Sequence, residues 1–297
     1  MAGLESKADE RDQETIGSPD SRIRGAGGEK MVAISGRMRM LADLVTAGSR
    51  VADVGCDHGF LSIYLVQTGK CPGCLAMDVR KGPLSGAEEH IAAYGLTDYI
   101  ETRLSDGLAA YHMGEAQTLI CAGMGGRLME KIITEGGKKS RSFRELILQP
   151  QSEIPEFRIF LRNAGYRITE EDAVCEDGKF YFAMKAVYEG RTRMWEPQKS
   201  FTEVVSDAEE SSAPDAKLSA ESSGRAGNEL YDLYGRQLLL GGHPVLRQYL
   251  LKRLEAVEAI IARIRRTDSS RGEARVRELA LEKKQLERAL EIVEKGR

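Results

Sequence analysis

The sequence has no long hydrophobic run, and its 297 residues include only four histidines and five cysteines. A membrane-spanning helix needs about 20 consecutive apolar residues, so none is predicted, and the polar N-terminus lacks the apolar core of a signal peptide. An odd number of cysteines gives no disulfide framework. Histidines this few and scattered do not indicate a metal site. We therefore expect a reduced, cytoplasmic protein without a bound metal.

Two common sequence signatures are also missing. No Gly-x-Gly-x-x-Gly follows the first predicted strand, which argues against an NAD-dependent oxidoreductase. The single C-x-x-C, Cys71 to Cys74, has no second pair or nearby histidine to complete four zinc ligands. We interpret that pair as a chance occurrence.

Polar segments divide the chain into four parts. Residues 1–30 are predicted to be a disordered tail, and residues 191–227 a flexible linker or insertion. In residues 31–190, strand and helix patterns alternate, which predicts βαβ units and a mostly parallel sheet. Residues 228–297 carry apolar residues at steps of three and four, which predicts a helical coiled-coil hairpin.

An acidic, glycine-rich turn follows the first predicted strand, with the pattern Asp53-x-Gly55-x-Asp57-x-Gly59. Glycine lets a ligand approach such a turn closely. Two aspartates would repel a pyrophosphate and favour a cationic or amine-bearing ligand. Asp57 can also be interpreted as a helix N-cap that only shapes the turn.

Two further carboxylates follow the next predicted strands. Asp78 comes 25 residues after Asp53, a distance at which a carboxylate can accept hydrogen bonds from ribose hydroxyls. Asp106, followed by Gly107, comes after the third strand. Ligands of open parallel sheets bind outside the carboxyl ends of the strands, so these carboxylates predict one binding site.

The succession of elements resembles the class I Rossmann-like methyltransferase sheet, whose last strand is antiparallel. Within that class, residues 34–188 closely resemble the TrmK family of bacterial tRNA (adenine(22)-N1)-methyltransferases. The matching stretches are Ser35-Gly36-Arg37, Ala52-Asp53-Val54-Gly55-Cys56-Asp57-His58, Asp106-Gly107, Ala122-Gly123-Met124-Gly125-Gly126, Leu146-Ile147-Leu148-Gln149-Pro150 and Glu176-Asp177-Gly178-Lys179-Phe180-Tyr181. The long polar N-terminus and the 191–227 insertion depart from that family.

The resemblance implies S-adenosyl-L-methionine as cofactor and tRNA as partner. The cofactor residues that it implies are Asp53, Gly55, Cys56, Asp57, Gly59, Asp78, Val79, Asp106, Gly107, Ala122 and Gly123. Asp57, Gly123 and Gly125 are the catalytic candidates, and Arg37 and His58 are candidates for contacting the substrate. For Arg37 a solvated helix face, and for His58 ring packing at the helix start, are equally good interpretations.

The implied chemistry agrees with what the sequence lacks. Adenine N1 has an in-plane lone pair and needs no strong base, but the ring becomes cationic as it is methylated. An acceptor close to the ring would therefore help, and Asp57 is the first candidate. No (Asp/Asn)-Pro-Pro-(Tyr/Phe) motif for N6 methylation follows strand four, and Cys121 is predicted to be core rather than a nucleophile.

Positive charge collects at the C-terminus. Residues 244–297 contain 14 basic and 9 acidic residues, a net charge of +5 on a chain that is otherwise −8. The two predicted helices are separated by a polar segment, Thr267–Gly272. Six arginines lie in or next to this segment: Arg263, Arg265, Arg266, Arg271, Arg275 and Arg277. We interpret them as an RNA-binding arm. A solvated helical surface and a dimerisation coiled coil are the alternatives, although a monomer is favoured.

A second hypothesis is a catalytically inactive RNA-binding or assembly factor on the same fold. The intact Asp53, Asp78 and Asp106 argue against it, because such a factor would not need carboxylates for the cofactor.

Overall fold

The computed structural model describes residues 31–190, 229–266 and 270–296. The predictions for residues 1–30 and 191–227 lie outside these residues. The domain containing the sheet has seven strands: β1 (Val51–Val54), β2 (Cys74–Asp78), β3 (Ile100–Leu104), β4 (Thr118–Met124), β5 (Glu145–Pro150), β6 (Tyr166–Glu176) and β7 (Lys179–Tyr188). Its helices are α1 (Gly36–Leu44), α2 (Phe60–Gln67), α3 (Lys81–Ala93), α4 (Gly126–Gly136), α5 (Lys138–Ser142) and α6 (Ile154–Asn163).

The strands form one sheet in the order β3-β2-β1-β4-β5-β7-β6. The first five are parallel, and β7 runs antiparallel to both β5 and β6. β1, β2 and β5 are buried along their whole length, as strands covered on both faces must be. The structure thus confirms the predicted Rossmann-like sheet with an antiparallel last strand.

Two apolar cores cover the two faces of the sheet. Val51 packs in the core that includes residues of α1, α2 and α3, whereas Ala52 packs in the core of α4 and α6, because successive strand residues point to opposite faces. The sequence predicts Ser35 as a helix cap, and in the structure its Oγ accepts a hydrogen bond from the N–H of Met38 at 3.3 Å. The Asp177-Gly178 pair predicts a hairpin turn, and both residues have positive φ in the turn between β6 and β7.

The sequence predicts that β4 ends at Ala122, that β5 ends at Leu148 and that α3 begins at Pro83, and the structure differs at each of these positions. β5 continues through Gln149 and Pro150, which were expected to follow it, and β4 continues to Met124. α3 begins at Lys81, two residues before Pro83. The short helix α5 was not predicted, because its five polar residues carry no apolar periodicity.

The C-terminal part is helical, with α7 (Arg236–Leu240), α8 (Pro244–Arg266) and α9 (Ser270–Lys295). The two long helices run antiparallel, since Arg247 pairs with Glu294 and Lys283 with Glu258. Their coiled-coil geometry stays a prediction. The C-terminal helices form a third apolar core, which also contains Phe182 of β7. These helices therefore pack on the β6–β7 hairpin.

The described residues on either side of residues 191–228 lie close together. Glu189 and Gly190, at the end of the sheet domain, line the same cleft as Tyr231 and Asp232. Among the described residues, no helix is both long enough and apolar enough to cross a membrane.

Candidate active site

The acidic turn between β1 and α2 depends on left-handed backbone conformations. Gly55, Asp57 and Gly59 have φ of 78°, 52° and 73°, which only glycine adopts readily and aspartate tolerates. The N–H of Gly55 donates to the carbonyl of Met77 at 2.8 Å. The N-cap of α2 is Gly59, so the interpretation of Asp57 as that helix cap is wrong. Its side chain is 62% exposed at the edge of the sheet.

Asp53 lies beneath this turn rather than at its surface. Its carboxyl is buried and accepts a hydrogen bond from Ser62 Oγ at 2.9 Å. Burial raises the pKa of Asp53 from 3.8 to about 6, and the nearby Asp78 adds to the shift. Asp53 therefore holds the base of the turn and stays a predicted cofactor residue.

The raised pKa of Asp53 gives a test of this arrangement. Between about pH 4 and pH 6 the folded state binds more protons than the unfolded state, so wild-type stability falls as the pH rises through this window. Asp53→Asn keeps an acceptor for Ser62 but has no proton to lose. From pH 4 to pH 7 the variant should gain about 3 kcal/mol of unfolding free energy relative to wild type. Denaturant titrations across this range check this, and a constant difference between the two proteins would contradict it.

Asp78 ends β2 beside the turn. One of its carboxylate oxygens accepts from the N–H of Arg80 at 2.8 Å, and the other from the N–H of Asp57 at 3.4 Å. A carboxylate has about four acceptor positions, but the Asp78 side chain is only 4% exposed and Arg80 Nε lies 3.7 Å from one of its oxygens.

Two exposed apolar side chains lie at the same carboxyl edge of the sheet, at the ends of β2 and β3. Val79 is 59% exposed and Leu104, the last residue of β3, is 45% exposed. Asp106 is exposed just beyond Leu104, in a turn where Gly107 has φ 52°. A flat apolar ligand with a polar edge would fit between these residues.

The end of β4 lies on the same carboxyl edge of the sheet, because β4 runs parallel to β1 and pairs with it. The predicted loop from Gly123 to Gly126 is shorter than expected, because β4 runs to Met124 and α4 begins at Gly126. A register shift between Ala122 and Met124 leaves Gly123 exposed with φ 75°. Gly125 is the N-cap of α4.

Arg37 reaches this edge from α1. Its Nη1 donates to Gln149 Oε1 at 3.2 Å, and its guanidinium lies 5.4 Å from the ring centre of Tyr181. A side-chain carbon added to Gly123 would lie 3.1 Å from Nη1. The guanidinium is therefore at the site, not on a solvated helix face.

Sequence reasoning assigned no role to the residues that hold Arg37 there. Gln149 is fully buried, and Glu176 Oε1 accepts from the N–H of Gly36 at 2.7 Å. The only signal in the sequence was that Gln149, Glu176 and Tyr181 belong to stretches that match the TrmK family. The structure brings these stretches together with Arg37 at the carboxyl edge.

Comparisons with known proteins agree with this geometry. A family profile described as a methyltransferase domain matches residues 34–184. The tRNA (adenine(22)-N(1))-methyltransferase of Bacillus subtilis is 34% identical over 153 residues, which are 52% of this chain and 64% of that protein. The chain belongs to the TrmK family of methyltransferases.

Two crystal structures from this family show the likeness in three dimensions. One is the B. subtilis m1A22 tRNA methyltransferase TrmK, 25% identical, with a TM-score of 0.64 over 87% of this chain and 99% of that one. The other is a proposed tRNA (m1A22) methyltransferase of Streptococcus pneumoniae in complex with S-adenosyl-L-methionine. It is 28% identical, with a TM-score of 0.65 over 87% of this chain and 100% of that one.

Other predicted residues of this TrmK-family chain are placed as follows. His58 is half exposed and its ring centre lies 5.7 Å from that of His90 in α3, so it packs at the helix start. Cys56 is buried, and burial raises its thiol pKa. Cys71 and Cys74 are buried thiols with their sulfurs 3.2 Å apart. The described residues contain no group of three or more potential metal ligands.

The structure places the described residues of the arginine cluster on α8 and α9. Arg263, Arg265 and Arg266 are exposed at the end of α8, and Arg275 and Arg277 are exposed near the start of α9. Arg275 pairs with Glu278 at 2.6 Å. Arg271 belongs to α9, but its side chain lies outside the described residues. The cluster thus lies at the far end of the antiparallel pair.

Proposed function

We propose that the protein methylates N1 of an adenine in the D-arm region of tRNA, position 22, using S-adenosyl-L-methionine in the cytoplasm. One observation carries the proposal: the carboxylates after β1 and β2 and the glycine turn after β4 meet at one open edge in a TrmK-family chain. The cofactor supplies an electrophilic methyl group at a sulfonium.

The edge fits this cofactor along its length. The backbone around Gly55 and Cys56 would hold the methionine portion. Asp78 would accept the ribose hydroxyls. The adenine would lie between Val79 and Leu104, with Asp106 and Gly107 near its amino group.

The substrate adenine would enter at Gly123, where no side chain obstructs it. Asp57 would stabilise the charge that the ring acquires as its N1 lone pair attacks the methyl group. Arg37 cannot usefully face N1, because a fixed cation there would oppose that charge. Its donors not used by Gln149 would instead bind the phosphate beside the target nucleotide.

Digestion of a tRNA transcript to nucleosides, after incubation with the protein and S-adenosyl-L-methionine, tests the proposal directly. We expect N1-methyladenosine from the natural transcript and none from a transcript with guanine at position 22. The inactive-factor alternative would bind tRNA and yield no methylated nucleoside.

Asp78→Ala should weaken cofactor binding about tenfold to a hundredfold, because hydrogen bonds from two ribose hydroxyls to a charged acceptor contribute roughly 1.5–3 kcal/mol. Calorimetric titration with S-adenosyl-L-methionine measures this. Asp98→Ala is the matched control, since Asp98 is exposed just before β3, at the opposite edge of the sheet. Equal affinities for the two variants would refute the assignment.

The arginine cluster should contribute to tRNA binding by pairing with phosphates. Deleting residues 244–297 would expose the apolar core shared with Phe182, so substitution is the better test. Replacing Arg263, Arg265, Arg266 and Arg277 by glutamine should lower the slope of log affinity against log salt by about 0.7–0.9 for each phosphate that the variant no longer neutralises. Cofactor affinity should not change. If the cluster serves dimerisation, light scattering would show a change in mass while the salt slope stays constant.

A further inference from the structure

A cavity of about 250 Å³ lies where the sheet domain meets the C-terminal helices. Ser152 and Glu153, from the loop between β5 and α6, form one side. Phe182 of β7, Tyr249 of α8 and Tyr234 line the other. A single nucleobase fits a space of this size, and aromatic rings are the side chains on which bases stack.

The cavity adjoins the end of β4, where the target adenine is proposed to enter. The carbonyl of Ser152 accepts a hydrogen bond from the N–H of Gly126 at 3.2 Å, and a side-chain carbon on Gly126 would lie 2.8 Å from that oxygen. The loop that forms the cavity wall and the turn at the active site are therefore in direct contact.

Glu153, in this wall of the cavity, has an unusual backbone conformation. Its φ of 51° is left-handed, a strained conformation for a residue other than glycine that is found most often at functional sites. Its carboxylate accepts from Ser152 Oγ at 2.7 Å and from Arg127 Nε at 3.0 Å. Arg127 is 84% exposed and places a cation close to the cavity.

The cavity lies between the loop that contacts the active-site turn and α8, whose last turn carries part of the arginine cluster, so an RNA that binds at both places can pass along this junction. Its target adenine has to leave the base stack, and the neighbouring base then loses a stacking partner. We propose that the cavity binds the nucleobase adjacent to the target adenine, with the ring of Tyr249 taking the place of that partner, because Tyr249 is half-buried whereas Phe182 and Tyr234 are no more than 9% exposed. This inference rests on the proposed tRNA substrate.

Leu233→Trp tests the proposal by filling the cavity from its helical side. Leu233 is half buried and lines the cavity. Leu240→Trp is the matched control, because Leu240 is 44% exposed and is not among the lining residues. Leu233→Trp should raise KM for tRNA about fivefold to a hundredfold and leave cofactor affinity unchanged, whereas the control should change neither. Tyr249→Leu, which removes a ring and keeps an apolar side chain, serves as the second variant.

Transcripts with an abasic nucleotide on either side of the target separate base binding from general damage. With wild type, one of the two should raise KM as much as Leu233→Trp does. When Leu233→Trp is assayed with that same transcript, KM should not rise further, because the two changes remove the same interaction. The inference would be overturned if the effects of Leu233→Trp and of the abasic nucleotide on KM multiplied. It would also be overturned if neither abasic transcript changed KM with the wild-type protein. If wild type methylated no transcript, the proposed function itself would fail.

Discussion

Asp57→Asn should lower kcat about 100- to 1000-fold while changing cofactor affinity little. The adenine ring is neutral when it binds and cationic at the transition state, so a nearby carboxylate stabilises the transition state selectively. Preorganised electrostatic groups of this kind contribute about 3–4 kcal/mol in other enzymes. Single-turnover methylation at saturating tRNA, together with calorimetric titration of the cofactor, measures the two quantities separately.

The backbone at Asp57 determines which substitutions are informative. Its φ of 52° suits asparagine and glycine but strains alanine. Asp57→Asn therefore changes charge alone, and Asp57→Gly serves as a second variant without strain. Parallel losses in turnover and in cofactor binding would mean that Asp57 shapes the turn and does not act on the substrate.

Arg158→Met should lower the free energy of unfolding by about 3–5 kcal/mol. Arg158 and Glu171 form a buried ion pair at 2.9 Å, each no more than 3% exposed. Arg158 Nη1 also donates to the carbonyls of Asp232 and Leu233 at the start of the helical part. Removing the arginine leaves a buried carboxylate without its cation, which is far costlier than losing the pair itself. Chemical denaturation followed by circular dichroism measures the loss.

Two comparisons show whether burial is the cause. Arg167→Met breaks the exposed pair with Glu189 at 2.7 Å and should cost at most about 1 kcal/mol. Arg158→Met combined with Glu171→Leu removes both charges and should recover much of the loss. Equal costs for the buried and the exposed arginine would contradict this account of the junction.

The sequence predicts the sheet domain well because its signals are local. Alternating strand and helix patterns in residues 31–190 predicted the mostly parallel sheet, and the Asp177-Gly178 pair predicted the turn between β6 and β7. The carboxylates after β1 and β2 could be assigned to one edge from topology alone. Capping and turn chemistry of this kind depends on a few neighbouring residues.

The remaining features depend on contacts between distant residues. Arg37 meets Gln149 and Tyr181 only after β5 and β7 have paired, so its sequence neighbours gave no signal for this position. The burial of Asp53 also depends on packing around β1, and periodicity could not show that its carboxyl lies beneath the turn. The helices α8 and α9 were expected as an arm, yet their shared core with Phe182 was visible only in three dimensions.

The cleft shared by Gly190 and Tyr231 has a consequence for the evolution of chain length. The sheet domain ends and the helical part resumes at one place, while the Arg158 network and the core around Phe182 join the two parts by contact. Each doubling of a connecting segment adds only about 0.6 kcal/mol of closure entropy. The intervening residues can therefore lengthen or change in composition under little selection from folding, which makes this position a natural entry point for inserted sequence.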